Sequence, residues 1–193
     1  MVERIESERL LIRCWRSEDA PLLKDAIDSS LGDLQSWVPW ALHEPSPVRA
    51  IAERLQSMRE QFMENEDWAF GLFERDETRV VGGAGLHARG STDHLEIGYW
   101  LRTGVSGRGL ATEAAAALCR TAFAYTRVER LEIHCDADNV RSAAVARRLG
   151  FVRDREFRQE APTARGSHRR TLVWTLQRSA GACPTRADHR QSL

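Results

Sequence analysis

Residues 106–112 read Ser-Gly-Arg-Gly-Leu-Ala-Thr (SGRGLAT) and stand between a strand-like run, 94–102, and a helix-like run, 112–125. The second run is rich in alanine, the residue with the best helix propensity. Gly107 and Gly109 leave backbone N–H groups uncovered where that helix begins. Because unpaired amides and the positive end of the helix dipole face the same spot, the loop predicts a site for a phosphate or a diphosphate.

Arg108 adds a cation that can make a charge-assisted contact with a phosphate. The alternative is that the two glycines only form a tight turn between strand and helix. Inspection excludes two common phosphate motifs, since the sequence has no Gly-Lys-Ser/Thr and no G-x-G-x-x-G. The loop therefore indicates a phosphate carrier other than a nucleoside triphosphate or a dinucleotide.

Outward from this loop, hydrophobic periodicity predicts one strand, two helices, three strands, and then helices and strands in alternation. Ser17, Ser46 and Asn139 are predicted helix N-caps. The segment 31–45, which contains two tryptophans and two prolines, is interpreted as an irregular connection. The predicted strands are 8–15, 68–74, 79–87, 94–102, 130–135, 151–158 and 167–177. The predicted helices are 17–30, 46–65, 112–125 and 139–149.

This order predicts a single α/β domain with a mixed, mostly antiparallel twisted sheet of about seven strands flanked by about four helices. The strands between 68 and 102 need only turns and form an antiparallel meander, whereas the crossover helix 112–125 forces a parallel pair. The domain is expected to cover 1–178. Residues 179–193 lack apolar periodicity and are predicted to be a flexible tail.

The amino-acid composition disfavours several further classes of function. The 193 residues are 42% hydrophobic, and 28 Lys and Arg balance 28 Asp and Glu, so no overall charge favours nucleic acid or an anionic membrane. No apolar run reaches the roughly 20 residues of a membrane span, and the acidic start is unlike a secretory signal, which predicts a cytoplasmic protein. Cysteine and histidine spacings suggest neither a disulfide framework nor a metal site.

Several motifs together resemble a known family. Gly109 and Ala111 match the last two fixed positions of the loop Gln/Arg-x-x-Gly-x-Gly/Ala, although Ser106 stands where Gln or Arg is usual. The flanking runs 96–101 and 112–114 match as well. On these residues the sequence resembles the GNAT N-acetyltransferase superfamily.

Three further segments resemble the RimJ/RimL branch, the ribosomal-protein N-terminal serine/alanine acetyltransferases. They are 8–13 (ERLLIR), 37–40 (WVPW) and 135–151 (CDADNVRSAAVARRLGF). Altogether the resemblance covers roughly 3–178, nearly all of the chain outside the predicted tail.

The resemblance implies a GNAT fold whose two central parallel strands splay apart to admit the pantetheine arm of acetyl-CoA. It implies direct transfer of an acetyl or other short acyl group to a primary amine. The acceptor is a peptide or ribosomal-protein N-terminus or a small amine-bearing molecule, and the chain is a monomer or homodimer. The implied CoA-binding residues are Tyr99, Trp100, Leu101, Ser106, Gly107, Arg108, Gly109, Leu110, Ala111, Thr112, Asn139 and Ser142.

The resemblance also suggests catalytic residues. Ser142 is the implied general acid, because Ala146 fills the place of the tyrosine that other branches use. Glu96 and Glu160 are both candidates for the general base. Asn139 and Ser142 can equally be plain helix-capping residues, and Glu160 can be a surface acid.

Trp37, Trp40 and Cys135 are predicted to wall the acceptor site, although the tryptophans can equally be core residues. Cys135 as an acyl-carrying nucleophile is disfavoured, because no histidine stands at a predictable partner position. The rival from another class is a non-catalytic acyl-CoA-binding module, in which Ser142 and the carboxylates are structural.

Overall fold

The computed structural model describes residues 1–178. The helices are α1 Ala20–Asp28, α2 Leu31–Trp37, α3 Val48–Met63, α4 Leu110–Tyr125 and α5 Val140–Arg148. The strands are β1 Arg4–Glu6, β2 Leu10–Cys14, β3 Asp67–Glu74, β4 Val80–His87, β5 His94–Leu101, β6 Arg130–Asp136, β7 Val152–Thr163 and β8 Gly166–Gln177. The predicted tail 179–193, with Cys183, lies outside the described residues, so the domain boundary stays a prediction.

All eight strands join one sheet in the order β1-β2-β3-β4-β5-β6-β8-β7. Neighbouring strands are antiparallel except β5 and β6, which are parallel and are connected through α4. The predicted α/β class, the antiparallel meander and the parallel central pair are therefore confirmed.

The parallel pair separates part-way along its length. β5 and β6 are in register from His94 opposite Arg130 to Glu96 opposite Glu132. Beyond that point β5 continues to Leu101 beside β4, and β6 continues to Asp136 beside β8, without pairing to each other. Within residues 1–178, the backbone groups of 97–101 that face β6 therefore have no strand partner and can pair with another extended chain.

Two apolar clusters hold the layers together, one on each face of the sheet. Ile97, Ile133 and Leu118 belong to the cluster under α4 and α5 and are 0–1% exposed. Ile51 and Leu55 of α3 belong to the cluster on the opposite face and are 0% exposed. Strand alternation explains this division, because successive residues of β5 and β6 point to opposite faces.

The structure corrects several sequence predictions. The segment 31–45 was expected to be irregular but contains α2 and a 3-10 turn at Pro39–His43. Ser17 does not cap a long helix, since it begins a 3-10 turn that precedes α1. The N-cap of α3 is Pro47 rather than Ser46. The eighth strand, β1, is only 3 residues long and was too short to register as a periodic run.

Among the described helices, none has both the length and the apolar character required to cross a bilayer.

Candidate active site

A cleft of about 1260 Å³ opens where β5 and β6 separate. Its lining includes most of the loop 106–112, the exposed face of β5 and the first turn of α5. It also includes the segment 37–40 on the side of the sheet away from α4. The cleft therefore passes from one face of the sheet to the other through the gap between the two parallel strands.

The glycine loop has the form that the sequence predicted. Gly107 and Gly109 adopt φ values of +81° and +80°, and Gly109 is the N-cap of α4. Within residues 1–178, none of the amides of 107–112 donates a hydrogen bond. A Cβ added to Gly107 would meet nothing within 4 Å, and one added to Gly109 would lie 3.5 Å from Arg9 Nη2. The loop fits a diphosphate at a helix N-terminus.

Arg9 is a further cation at this loop. Its Nη1 donates to the carbonyl of Arg108 at 2.7 Å, and its guanidinium pairs with Glu113 of α4 at 2.7 Å. These contacts tie the start of β2 to the loop and place positive charge beside it. Arg108 itself does not belong to the lining of the cleft, whereas the other six residues of 106–112 do.

The first turn of α5 presents Ser142 to the cleft. The Asn139 side chain accepts a hydrogen bond from the Ser142 amide at 3.0 Å, so Asn139 is a helix cap, the plain alternative considered for it. The Tyr99 hydroxyl lies 2.9 Å from Ser142 Oγ and 3.2 Å from the Ser142 carbonyl oxygen. Burial raises the pKa of Tyr99 well above its ordinary value, which keeps the phenol protonated.

Cys135 lies beside this pair as a buried thiol, 4% exposed. Burial is the main cause that raises the pKa of Cys135 above its ordinary value. A protonated thiol is a poor nucleophile, which agrees with a role for Cys135 as a wall of the cleft.

On the other face of the sheet, small residues leave room beside the gap. Ala69, Gly85 and Gly98 occupy one row across β3, β4 and β5. The His87 ring folds over Gly85, and a Cβ added to Gly98 would lie 3.4 Å from His87 Nε2. The space next to Gly98 is therefore bounded by His87 rather than filled.

One wall of this space carries ionisable groups. His87 Nδ1 lies 2.6 Å from Asp67 Oδ1, which fixes the ring. Glu96 Oε2 lies 3.2 Å from Arg89 Nε and 3.6 Å from His134 Nδ1. His87, Glu96 and His134 all line the cleft.

The opposite wall is aromatic. Trp100 lies across Gly83 and meets Trp40 edge to face with ring centroids 6.0 Å apart. Trp37 also lines the cleft, and the Arg165 guanidinium of the β7–β8 hairpin stacks 4.4 Å from its ring centre. The β7–β8 hairpin therefore packs against the segment 37–40, which carries both tryptophans.

Glu160 is not brought to this site. It lies on β7 with a side chain that is 86% exposed, and its near partner at 3.7 Å, His168, is 70% exposed. It does not belong to the lining of the cleft, whereas Glu96 does.

Comparison with known proteins places this geometry in a family. The acetyltransferase (GNAT) domain family matches residues 9–152. The chain belongs to the GNAT acetyltransferases. It is an acetyl-CoA-dependent N-acetyltransferase with the predicted fold.

Relatives of this GNAT acetyltransferase include enzymes named for ribosomal proteins. It is 28% identical over 153 residues to the ribosomal protein uS5-alanine N-acetyltransferase of Escherichia coli (strain K12), covering 78% of this chain and 79% of the relative. It is 27% identical over 122 residues to the ribosomal-protein-serine acetyltransferase of the same organism, covering 61% and 67%.

Solved structures share the fold. RimL in complex with coenzyme A superposes with a TM-score of 0.81 at 21% identity, covering 91% of this chain and 98% of that one. The microcin C7 self-immunity acetyltransferase MccE in complex with acetyl-CoA and AMP superposes with a TM-score of 0.79 at 17% identity, covering 89% and 93%.

Sequence reasoning missed Arg9, His87 and His134 as residues of this GNAT acetyltransferase site. His134 could have been found in part from strand alternation, which places it on the same face of β6 as Glu132. Arg9 and His87 had no signal of that kind. Arg9 precedes β2 and His87 ends β4, so both are distant from the loop in sequence.

Proposed function

We propose that this acetyltransferase acts on the α-amine at the N-terminus of a peptide or protein, the class to which ribosomal-protein N-termini belong. The observation that carries the proposal is the open space beside Gly98, between the wall of Glu96 and the aromatic wall of Trp100. This space reaches the gap between β5 and β6 from the face opposite α4. An extended chain terminus can enter there while the donor occupies the other side. The names of the relatives agree with this acceptor class.

In this proposal the amides of 107–112 and the N-terminus of α4 hold the diphosphate of the donor. The free backbone of Tyr99 to Leu101 pairs with the extended arm as a neighbouring strand does. Acetyl-CoA carries the acetyl group that is transferred as a thioester. A backbone N–H of this segment polarises the thioester oxygen.

Glu96 and Ser142 divide the proton transfers. Glu96 faces the acceptor space and receives a proton from the amine, directly or through a water. An α-amine has an ordinary pKa near 8, so little driving force is needed. Ser142 donates a proton toward the departing thiolate, and the Tyr99 hydroxyl holds the Ser142 hydroxyl in place. Glu160 has no part in this scheme, because it lies outside the cleft.

The test is an acceptor screen on the purified chain. Peptides that begin with Ala or Ser, the same peptides with a blocked α-amine, and small primary amines are each incubated with acetyl-CoA. Release of free thiol and mass spectrometry of the product measure the transfer. We expect acetylation at the α-amine of the free peptides and none of the blocked ones.

Transfer to small amines alone would overturn the peptide proposal. Tight CoA binding without thiol release from any acceptor would favour the non-catalytic module instead. We further propose that the chain acts in the cytoplasm, where ribosomal proteins are made, as a monomer or homodimer.

A further inference from the structure

Glu132 is a carboxylate buried in the sheet itself. Its side chain is 0% exposed, and it stands directly opposite Glu96 at the last paired position of β5 and β6. Arg130 Nε lies 3.0 Å from its Oε1, and Arg155 Nη2 lies 3.1 Å from its Oε2. A buried carboxylate is costly unless it is paired, and these two arginines already offset its charge.

A third partner of Glu132 is His134, whose Nε2 lies 2.7 Å from Glu132 Oε2. Of the groups that contact Glu132, His134 is the one that lines the cleft within residues 1–178. Its other nitrogen, Nδ1, lies 3.6 Å from Glu96 Oε2. His134 therefore connects the proposed base in the cleft to a carboxylate that is shielded from water.

The contact with Glu132 selects one form of the neutral imidazole. A carboxylate only accepts hydrogen bonds, so Nε2 carries the proton and donates it to Glu132. Nδ1 then presents a lone pair toward Glu96. A small side-chain movement brings a protonated Glu96 within hydrogen-bond distance of this basic nitrogen.

The surroundings of Glu132 keep it ionised. Burial by itself would raise its pKa, but the hydrogen bond from His134 and the nearby charges of His94 and Arg155 outweigh burial, so the pKa of Glu132 is lowered. A carboxylate of this kind does not take the proton itself.

The charged groups around His134 come from three strands and one loop. Glu132 of β6 and Glu96 of β5 contact His134 directly. His94 of β5 and Arg155 of β7 contact Glu132, and Arg89 before β5 contacts Glu96. Phe157 of β7 meets the imidazole edge to face at 6.2 Å. The His134 side chain is 20% exposed, which leaves it a route to water.

We propose that His134 re-ionises Glu96 during turnover and that Glu132 is the positioning residue that fixes the His134 tautomer. The proposal rests on the role of Glu96 proposed above. The N–H bond of the acceptor breaks as an O–H bond forms on Glu96. That O–H bond then breaks as an N–H bond forms on His134 Nδ1, and the imidazolium releases a proton to water.

His87 is the rival on the same wall, because Asp67 orients it as Glu132 orients His134. In the described part of the chain, however, no ring nitrogen of His87 lies within 4.0 Å of a Glu96 oxygen, whereas His134 Nδ1 does. His87→Ala is therefore the comparison for loss of an imidazole from this wall: it can change the acceptor KM, but added imidazole should not restore its kcat.

The first test compares turnover of His134→Gln, His134→Ala and His87→Ala. Glutamine keeps an N–H donor for Glu132 but has no basic nitrogen, so we expect kcat to fall roughly 100-fold, at the low end of what a positioned proton acceptor contributes. Alanine opens a space to the cleft, and added imidazole should restore part of the rate. Unchanged kcat in His134→Gln, or imidazole rescue of His87→Ala alone, would overturn the proposal.

The second test needs no turnover. Imidazole ¹⁵N shifts of His134 should report a proton on Nε2 and none on Nδ1 in the wild-type protein. Glu132→Gln should mix the two tautomers and lower kcat with little change in the acceptor KM. A His134 ring protonated on Nδ1 would contradict the tautomer that we infer. Failure of the proposed function is a separate outcome, because wild-type protein would then acetylate no peptide.

Discussion

Ser142 of α5 and Tyr99 of β5 meet at the gap between the parallel strands. Their hydrogen bond of 2.9 Å is the closest polar contact of the Ser142 hydroxyl in residues 1–178. We expect Ser142→Ala to lower kcat by roughly 100-fold, the low end of what a positioned proton donor contributes. CoA affinity, measured by calorimetry, should stay within a few-fold. Tyr99→Phe keeps the ring and removes only the hydroxyl, so a smaller loss is expected.

The double variant Ser142→Ala with Tyr99→Phe should be no slower than Ser142→Ala alone, because Tyr99 acts through Ser142. Additive losses would mean that the two hydroxyls act independently. An unchanged kcat in Ser142→Ala would remove this residue from the chemistry.

In the proposed function, the loop before α4 binds the diphosphate through its backbone amides. Gly109→Gln places a side chain at φ +80°, which costs about 1–2 kcal/mol. Gly109→Glu has nearly the same size and strain but adds a negative charge beside the amides. We expect both variants to weaken CoA binding, with the Glu variant weaker at low salt.

Calorimetry at low and high salt separates strain from charge. The difference between the Gly109→Glu and Gly109→Gln variants should shrink at high salt, since ions screen the repulsion of the diphosphate. Equal affinities of the two variants at low salt would place the diphosphate away from this loop.

In the proposed function of the molecule, the donor occupies the side of the cleft under α4 and the acceptor occupies the opposite face. Gly98→Val fills the acceptor space beside His87, where a Cβ would already lie 3.4 Å from the ring nitrogen. We expect a large increase in the acceptor KM with CoA affinity almost unchanged. A loss of CoA affinity as large as the change in acceptor KM would show that the two sides are not separate. Thermal melting checks that the variant folds.

The order of the main elements, the glycine turn before α4 and the family could all be predicted from the sequence. These features are local, because strand alternation, alanine-rich helices and glycine turns depend on residues close together in the chain. Helix α2 was not predicted from the sequence. Its 7 residues are stabilised by packing around Leu34 rather than by a long periodic face.

Which polar side chains share the cleft depends on how the strands pair and could not be read from the sequence. It placed Glu96 between Arg89 and His134 and left Glu160 exposed on β7. Strand register sets such contacts, and register depends on pairing between segments far apart in sequence. A pattern within one strand shows which face a residue occupies, whereas its partners across the sheet come from the fold.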